Sequence, residues 1–214
     1  MSLPKHEITP IIASDLLTLA NFIFLSNFAQ ATNRFLFLDW PNEAAQTALF
    51  LSGLEKSSQD SDQQMWKVVD EESGAMIASL ILTRKRPIDN SSERGKQKPA
   101  VPEGVNGEFL AVMRQALEVV QKDMEGIDYL VLSSIFVDLT FRERGLGSKL
   151  VNLSLQKAAE GSLSLFLSSV PSATGFYRKL GFANTVHTDV DLGTWGPEFG
   201  GCGVYRLQGM IAKP

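Results

Sequence analysis

The chain has 214 residues, of which 44% are hydrophobic and 21% are charged, and this balance is typical of a globular protein with one large or two small domains. Its formal net charge of -4 argues against a nucleic-acid partner and against an acidic membrane surface. The single cysteine, Cys202, excludes an internal disulfide framework, and with an N-terminal segment unlike a signal peptide it leads us to expect a cytoplasmic protein.

The first third of the chain predicts a strand followed by two helices. Residues 6–13 favour the strand, and Ser14-Asp15 resembles a helix N-terminus. The following residues 16–38 are apolar enough to raise a membrane span, but several polar side chains interrupt them and would be costly in lipid. A second helix is predicted to start at Asp39-Trp40-Pro41, because proline suits the first helical turn.

The middle of the chain predicts a β-hairpin and then a break in the regular pattern. Residues 65–70 and 75–82 read as the two strands, and the acidic, serine and glycine residues between them suit a turn. Residues 83–107 contain three prolines among many charges, so we expect a flexible insertion there. The run Arg84-Lys85-Arg86 could be a localisation signal or an anion patch, although a solvated linker is the favoured interpretation.

The second half alternates helices and strands. Residues 108–122 form an amphipathic helical pattern, and residues 129–137 are an apolar, β-favouring run. A helix follows, opened by Gly145 and Gly147, then a strand over residues 163–168, a helix after Pro171 and a last strand over residues 204–211. A strand, a helix and a second strand in this order predict parallel pairing with a right-handed crossover.

The strand that leads into a glycine-rich helix start is the most informative feature. The first amides of a helix lack internal partners and carry a partial positive charge, so they suit an anion, and glycine lets a phosphate approach closely. The spacing Arg142-x-x-Gly145-x-Gly147 fits neither the Rossmann fingerprint nor the P-loop. It resembles the acetyl-coenzyme A signature of the GNAT superfamily of N-acetyltransferases.

A second segment strengthens this resemblance. Residues 176–182, Phe-Tyr-Arg-Lys-Leu-Gly-Phe, are similar to the second GNAT signature, and Ala173 stands at the family's common alanine. The order of predicted elements is also similar, and the hairpin with the long insertion looks most like fungal-type members. The resemblance implies a single domain over residues 1–214 with the flexible insertion at about 83–107. It implies an α/β (α+β) fold, with a mixed and mostly antiparallel sheet that splays between its fourth and fifth strands and is flanked by helices.

The resemblance also implies a division of roles around acetyl-coenzyme A as cosubstrate. The strand end would pair with the pantetheine arm, the loop and helix start would hold the pyrophosphate, and Tyr177 would protonate the departing thiolate. Tyr177 could instead be a core aromatic, given the apolar residues around it. The implied cofactor-binding residues are Ile135, Phe136, Val137, Arg142, Glu143, Arg144, Gly145, Leu146, Gly147, Ser148 and Ala173. No metal is implied.

The sequence departs from the family at two places and leaves several alternatives open. Val170 replaces a frequent asparagine, and Val131 and Leu132 stand where many members carry a glutamate base, so no general base is assigned. Water relays ending at Asp138, Glu108, His187 or Asp189 stay possible. The acceptor would be a primary amine, and the aromatic residues Phe37, Trp40, Trp195 and Phe199 favour a small molecule at an uncharged entrance. A catalytically idle acyl-coenzyme A binding protein is the alternative function, and either a monomer or a homodimer is compatible with the sequence.

Overall fold

A computed structural model describes residues 5–87, 100–196 and 203–214. Within these ranges, most of the predicted helices and strands are present, whereas α2 (Thr32–Leu36) and β6 (Ala183–Asp191) in the following order were not predicted. In chain order the elements are β1 His6–Pro10, α1 Leu16–Phe28, α2 Thr32–Leu36, α3 Glu43–Ser57, β2 Gln63–Asp70, β3 Met76–Lys85, α4 Gly107–Gln121, β4 Tyr129–Val137, α5 Leu146–Glu160, β5 Ser164–Ser169, α6 Thr174–Lys179, β6 Ala183–Asp191 and β7 Val204–Ala212.

The strands form one seven-stranded sheet in the order β1-β2-β3-β4-β5-β7-β6. Neighbouring strands are antiparallel except β4 and β5, which are parallel and are joined by the crossover helix α5. The fold is therefore a mixed α/β sheet, mostly antiparallel and flanked by helices, as predicted.

The sheet opens between its fourth and fifth strands. Their pairing is confined to Tyr129 with Ser164, Leu130 with Leu165, and Val131 with Phe166. β4 continues to Val137 and β5 continues to Ser169 without further pairing to each other. The predicted splay is confirmed, and among residues 5–87, 100–196 and 203–214 no strand pairs with this edge of β4 from Leu132 onward.

Alternate residues of the central strands pack into two different helical layers. Leu80 and Leu82 of β3 share a core with Leu146 and Leu150 of α5, whereas Ile81 between them packs with residues of α1 and α3. Because successive strand side chains point to opposite faces, α5 lies on one face of the sheet and α1 on the other. α4 packs on β6 and β7 through a third cluster that includes Phe109, on the same face as α1.

Helix boundaries depart from the sequence prediction where capping decides them. α3 begins after Asn42, whose side-chain oxygen accepts a hydrogen bond from the amide of Ala45, so the helix starts later than Pro41. It continues to Ser57. α1 ends at Phe28, and among the described helices none is long and apolar enough to cross a membrane.

The start of the predicted insertion is regular structure. Thr83, Arg84 and Lys85 extend β3 by pairing with Val131, Leu130 and Tyr129 of β4. Arg84 also makes a bidentate ion pair with Asp128, and Arg86 pairs with Asp62. These pairs show two of the three basic residues engaged in the fold. At the other end, Asn106 caps α4. Residues 88–99 of the predicted insertion, like Phe199 and Cys202, lie outside the described residues.

Candidate active site

The loop after β4 is organised by one carboxylate. Asp138 accepts hydrogen bonds from the amide of Thr140 at 2.8 Å and from the Thr140 hydroxyl at 2.6 Å. This arrangement starts a single 3-10 turn over Leu139–Phe141, as short polar side chains do at turns. The chain is thereby turned from the end of β4 toward the start of α5.

The start of α5 leaves its first amides available. Gly145 takes the N-cap position with a left-handed φ of 89°, and without a side chain it cannot cap the helix. A Cβ added at Gly147 would lie 3.5 Å from the Phe176 ring and 4.0 Å from a methyl group of Val137. Gly147 lies between the end of β4 and α6, where a Cβ would make only ordinary contacts. The uncapped amides of residues 146–148, here called the anion seat, are suited to a negatively charged group.

Two arginines of the loop occupy different environments. The exposed Arg142 donates from Nε to the carbonyl of Val137 at 3.0 Å and lies 5.8 Å from the Phe136 ring. The guanidinium of Arg144 lies 5.3 Å from the Phe141 ring, and its Nε is buried without a hydrogen-bond partner among the described residues. An unpaired donor beside uncapped amides fits an anion. Glu143 between the arginines has a positive φ of 60° and is exposed.

Tyr177 lies in the core on the same face as α5. Its side chain is only 7% exposed, and its ring packs against Phe176 at 5.1 Å and Phe182 at 5.7 Å between centroids. Burial raises the pKa of the Tyr177 hydroxyl to about 12, so it is protonated at neutral pH. Ala173 precedes α6, and its carbonyl accepts hydrogen bonds from the amides of Phe176 and Tyr177.

Part of the chain matches a known family model, and the fold of the chain is similar to solved structures. Residues 109–195 match the model of the acetyltransferase (GNAT) domain. The fold of the whole chain is similar to a solved histone acetyltransferase HPA2-related acetyltransferase from Corynebacterium glutamicum, with a TM-score of 0.62, 19% identity and coverage of 100% of this chain and 97% of that chain. The chain has the GNAT fold.

Two further solved structures share this fold. A putative arylalkylamine N-acetyltransferase 7 from the yellow fever mosquito aligns with a TM-score of 0.67, 14% identity and coverage of 97% of this chain and 87% of the other. An agmatine N-acetyltransferase mutant aligns with a TM-score of 0.60, 14% identity and coverage of 98% and 99%. A sequence comparison with curated proteins finds no match. The domain match and the fold support an acyltransferase, whereas the narrower resemblance to fungal-type GNAT members finds no support.

A recess lies near two of the residues expected to line the acceptor entrance, Phe37 and Trp40. A cavity of about 350 Å³ is bordered by Phe37, Leu49 and buried Gln46, with the carboxylates of Asp39 and Glu103 at its edge. Two carboxylates therefore border this recess. Trp40 stacks on Phe37, whereas Trp195 packs edge-on against Phe109, 5.0 Å away.

The four residues at which a water relay for the amine proton could end differ in their contacts. Asp138 holds Thr140, as described above, and Asp189 makes a bidentate ion pair with Arg206. The hydrogen bond from Arg206 lowers the pKa of Asp189, which makes that carboxylate a weaker base. Glu108 and His187 are exposed, on the first turn of α4 and on β6. Val131 and Leu132, at the glutamate positions of other GNAT domains, are buried.

The structure brings together the parts of the site that lie close in sequence and adds one pair that sequence reasoning missed. Val137, Gly147 and Phe176 meet where β4, α5 and α6 converge. The missed pair is Thr83 and Ser133, whose hydroxyl oxygens lie 2.8 Å apart. The available signal was the polar Ser133-Ser134 step inside an otherwise apolar strand.

Proposed function

We propose that this protein is an N-acetyltransferase that transfers the acetyl group of acetyl-coenzyme A to a primary amine of a small molecule. The observation that carries this proposal is the open edge of β4, which begins after Val131 and leads to the uncapped amides of α5. An open strand edge offers backbone groups to an extended amide-containing chain, and a helix N-terminus offers amides to a phosphate. Together they suit a ligand with a pantetheine arm and a pyrophosphate.

The residues that would hold the cosubstrate follow the chain from strand to helix. Backbone groups of Ile135, Phe136 and Val137 would pair with the arm, although the Val137 carbonyl already accepts a hydrogen bond from Arg142. Residues 142–148 would hold the pyrophosphate, and the unpaired Nε of Arg144 favours a negative ligand. Ala173, at the start of α6, is the remaining proposed contact.

The proposed chemistry needs one proton donor and one proton acceptor. Acetyl-coenzyme A supplies a thioester whose carbonyl carbon is attacked by the neutral amine and whose thiolate leaves. Tyr177 would donate its hydroxyl proton to that sulfur, since the hydroxyl is protonated at neutral pH. A hydroxyl with a pKa of about 12 is a weak acid, so this transfer depends on the Tyr177 oxygen and the sulfur being brought into hydrogen-bond contact. The proton lost by the amine would pass to water, and a proton from water would restore the Tyr177 hydroxyl.

A small organic amine is the acceptor that we propose. The solved relatives named as arylalkylamine and agmatine N-acetyltransferases act on such amines by their names. The recess beside Phe37 combines apolar walls with Asp39 and Glu103, and carboxylates near an aromatic ring suit an organic cation. This combination supports a small cationic ligand.

One observation favours a second function, that of an idle acyl-coenzyme A binding protein. The glutamate positions of β4 hold Val131 and Leu132, which are 8% and 6% exposed, so no carboxylate stands there to take a proton. A protein of this kind would bind acyl-coenzyme A through the anion seat but would not transfer the acyl group.

Two measurements test the proposal and separate it from the alternative. Calorimetric titration with acetyl-coenzyme A should show one binding site per chain. Release of free coenzyme A should then increase when phenethylamine or agmatine is added. Binding without amine-dependent release would favour the idle protein, and absence of binding would contradict both functions.

A further inference from the structure

Ser133 is distinguished within β4 by its exposure. Along the whole strand, all of which is described, Ser133 is the one residue classed as exposed. It lies at a β-bulge, because the register with β3 shifts between the pairs Ile81–Ser134 and Leu82–Leu132 and leaves Ser133 as the extra residue. Bulges frequently re-aim a side chain next to an active site.

The side chain of Ser133 lies on the face of the sheet opposite α5. Strand alternation does not hold at a bulge, so the face of Ser133 follows from its hydroxyl contact with Thr83. Thr83 follows Leu82, which packs into the core formed with α5, so the Thr83 side chain points to the other face. The two hydroxyls therefore meet on the face that α1 and α4 cover.

The hydroxyl pair lies between the two helices of that face. Ile81, two residues before Thr83, packs with α1, and Val131, which pairs with Thr83, packs with Met124 just after α4. Val131 also makes the last pairing contact with β5, at Phe166. Ser133 thus stands immediately beyond the point where the sheet opens, with the anion seat and Tyr177 on the other face.

The donor of the Ser133–Thr83 hydrogen bond can be either hydroxyl. Thr83 is only 8% exposed, so its hydroxyl has little access to solvent. Its hydrogen-bond partner is the Ser133 hydroxyl, with the two oxygens 2.8 Å apart. A serine oxygen has two acceptor sites, and one stays free whichever hydroxyl donates. The free site can accept a hydrogen bond from an N–H group that arrives beside the opening.

We propose that Ser133 contacts the acceptor amine directly and that Thr83 is a positioning residue that fixes the Ser133 hydroxyl. This inference rests on the proposed N-acetyltransferase function. Ser133 would accept an N–H hydrogen bond from the neutral amine, which leaves the nitrogen lone pair free to face the opening between β4 and β5. The amine would enter from the α1 and α4 face, opposite the acetyl donor.

The test compares four variants by the KM for phenethylamine and for agmatine. Ser133→Ala should raise the KM about three- to tenfold, the range of one uncharged hydrogen bond. Thr83→Val should raise it by a smaller factor, because it frees the Ser133 hydroxyl to rotate. Ser133→Thr and Thr83→Ser keep the hydroxyls and should restore most of the wild-type KM. Calorimetric affinity for acetyl-coenzyme A should stay unchanged in all four.

A matched control removes another hydroxyl from the core. Ser154 donates to the carbonyl of Leu150 within α5 and is fully buried, so Ser154→Ala should lower the melting temperature and leave the KM unchanged. If the wild type turns over and Ser133→Ala keeps the wild-type KM, the inference is wrong and the proposed function stands. If the wild type binds acetyl-coenzyme A and acetylates no amine, the proposed function is wrong and the inference falls with it.

Discussion

Val131 and Phe166 form the last paired position between β4 and β5, and beyond them the two strands separate. Both side chains are buried in one small cluster with Met124 and Tyr129. This cluster covers the paired end of the opening on the α4 face. The position of the opening therefore follows from where apolar packing holds the strands together.

Gly147→Val should weaken acetyl-coenzyme A binding at least about tenfold, which corresponds to about 1.4 kcal/mol. The new Cβ would lie against Phe176 and Val137, so the added methyl groups must displace Phe176 or enter the anion seat. Calorimetry measures the affinity. Gly147→Ala should have a smaller effect, since its Cβ makes only ordinary contacts.

Gly53→Val is the matched control, because Gly53 is exposed within α3 and a Cβ there meets nothing within 4 Å. It should leave the affinity for acetyl-coenzyme A as in the wild type. Unchanged affinity in Gly147→Val, with the melting temperature preserved, would mean that the phosphate binds elsewhere.

Tyr177→Phe should lower turnover about 100- to 10,000-fold if protonation of the thiolate limits the rate. The substitution keeps the ring that packs between Phe176 and Phe182 and removes only the hydroxyl. Affinity for acetyl-coenzyme A should change little. Steady-state kinetics with an accepted amine provide the measurement.

Tyr129→Phe is the control for this substitution, because Tyr129 is also buried but packs against Phe166 at the paired end of β4. Its turnover should equal that of the wild type. A Tyr177→Phe variant with full turnover under conditions where chemistry is rate-limiting would make Tyr177 a packing residue. A collapse of cosubstrate affinity would make its hydroxyl a binding group.

Alkaline titration should show all three tyrosines of the chain ionising late. Burial raises the pKa of Tyr177 and of Tyr205 to about 12 and raises that of Tyr129 as well. An unfolded tyrosine ionises near pH 10, so between about pH 10 and 12 the unfolded chain releases protons that the folded protein keeps. Stability should therefore fall as the pH rises through this window.

Tyrosinate absorbance in native buffer and in guanidinium chloride checks this prediction. The midpoint of tyrosine ionisation should lie at a clearly higher pH in the native protein than in the denatured protein. Coincident curves, with the native fold still intact by circular dichroism, would contradict the burial of these hydroxyls.

Asp128→Asn should lower the melting temperature at neutral pH and much less in acid. The hydrogen bond from Arg84 lowers the pKa of Asp128 in the folded state. The pair therefore contributes its stability above the ordinary carboxyl pKa of about 4 and loses it as the pH falls through the lowered value. Added salt should also reduce the difference between variant and wild type, since both side chains are partly exposed.

Asp123→Asn, at an exposed carboxylate of the turn before β4, is the control and should show a smaller change at neutral pH. Melting curves at several pH values make the comparison. A destabilisation by Asp128→Asn that persists unchanged at low pH would show that the loss comes from packing and not from the charge.

Local patterns in the sequence were enough to predict most of the elements. The run 129–137 became β4 with those bounds, and Gly145 and Gly147 open α5 as the motif suggested. These features depend on side-chain periodicity and on backbone freedom within a few residues, both of which are local properties. The residue pattern did not predict β6, because its mostly exposed and half-buried residues give little apolar signal.

Tertiary structure decided the features that depend on contacts distant in the chain. Asn42 set the start of α3 by capping, and pairing with β4 extended β3 into a segment whose composition predicted a flexible insertion. The sequence by itself determined the strand, the glycine turn and the helix that make the anion seat, because neighbouring residues build it. Only the tertiary structure placed Ser133 against Thr83, 50 residues away, since a bulge and a strand register are fixed by packing across the sheet.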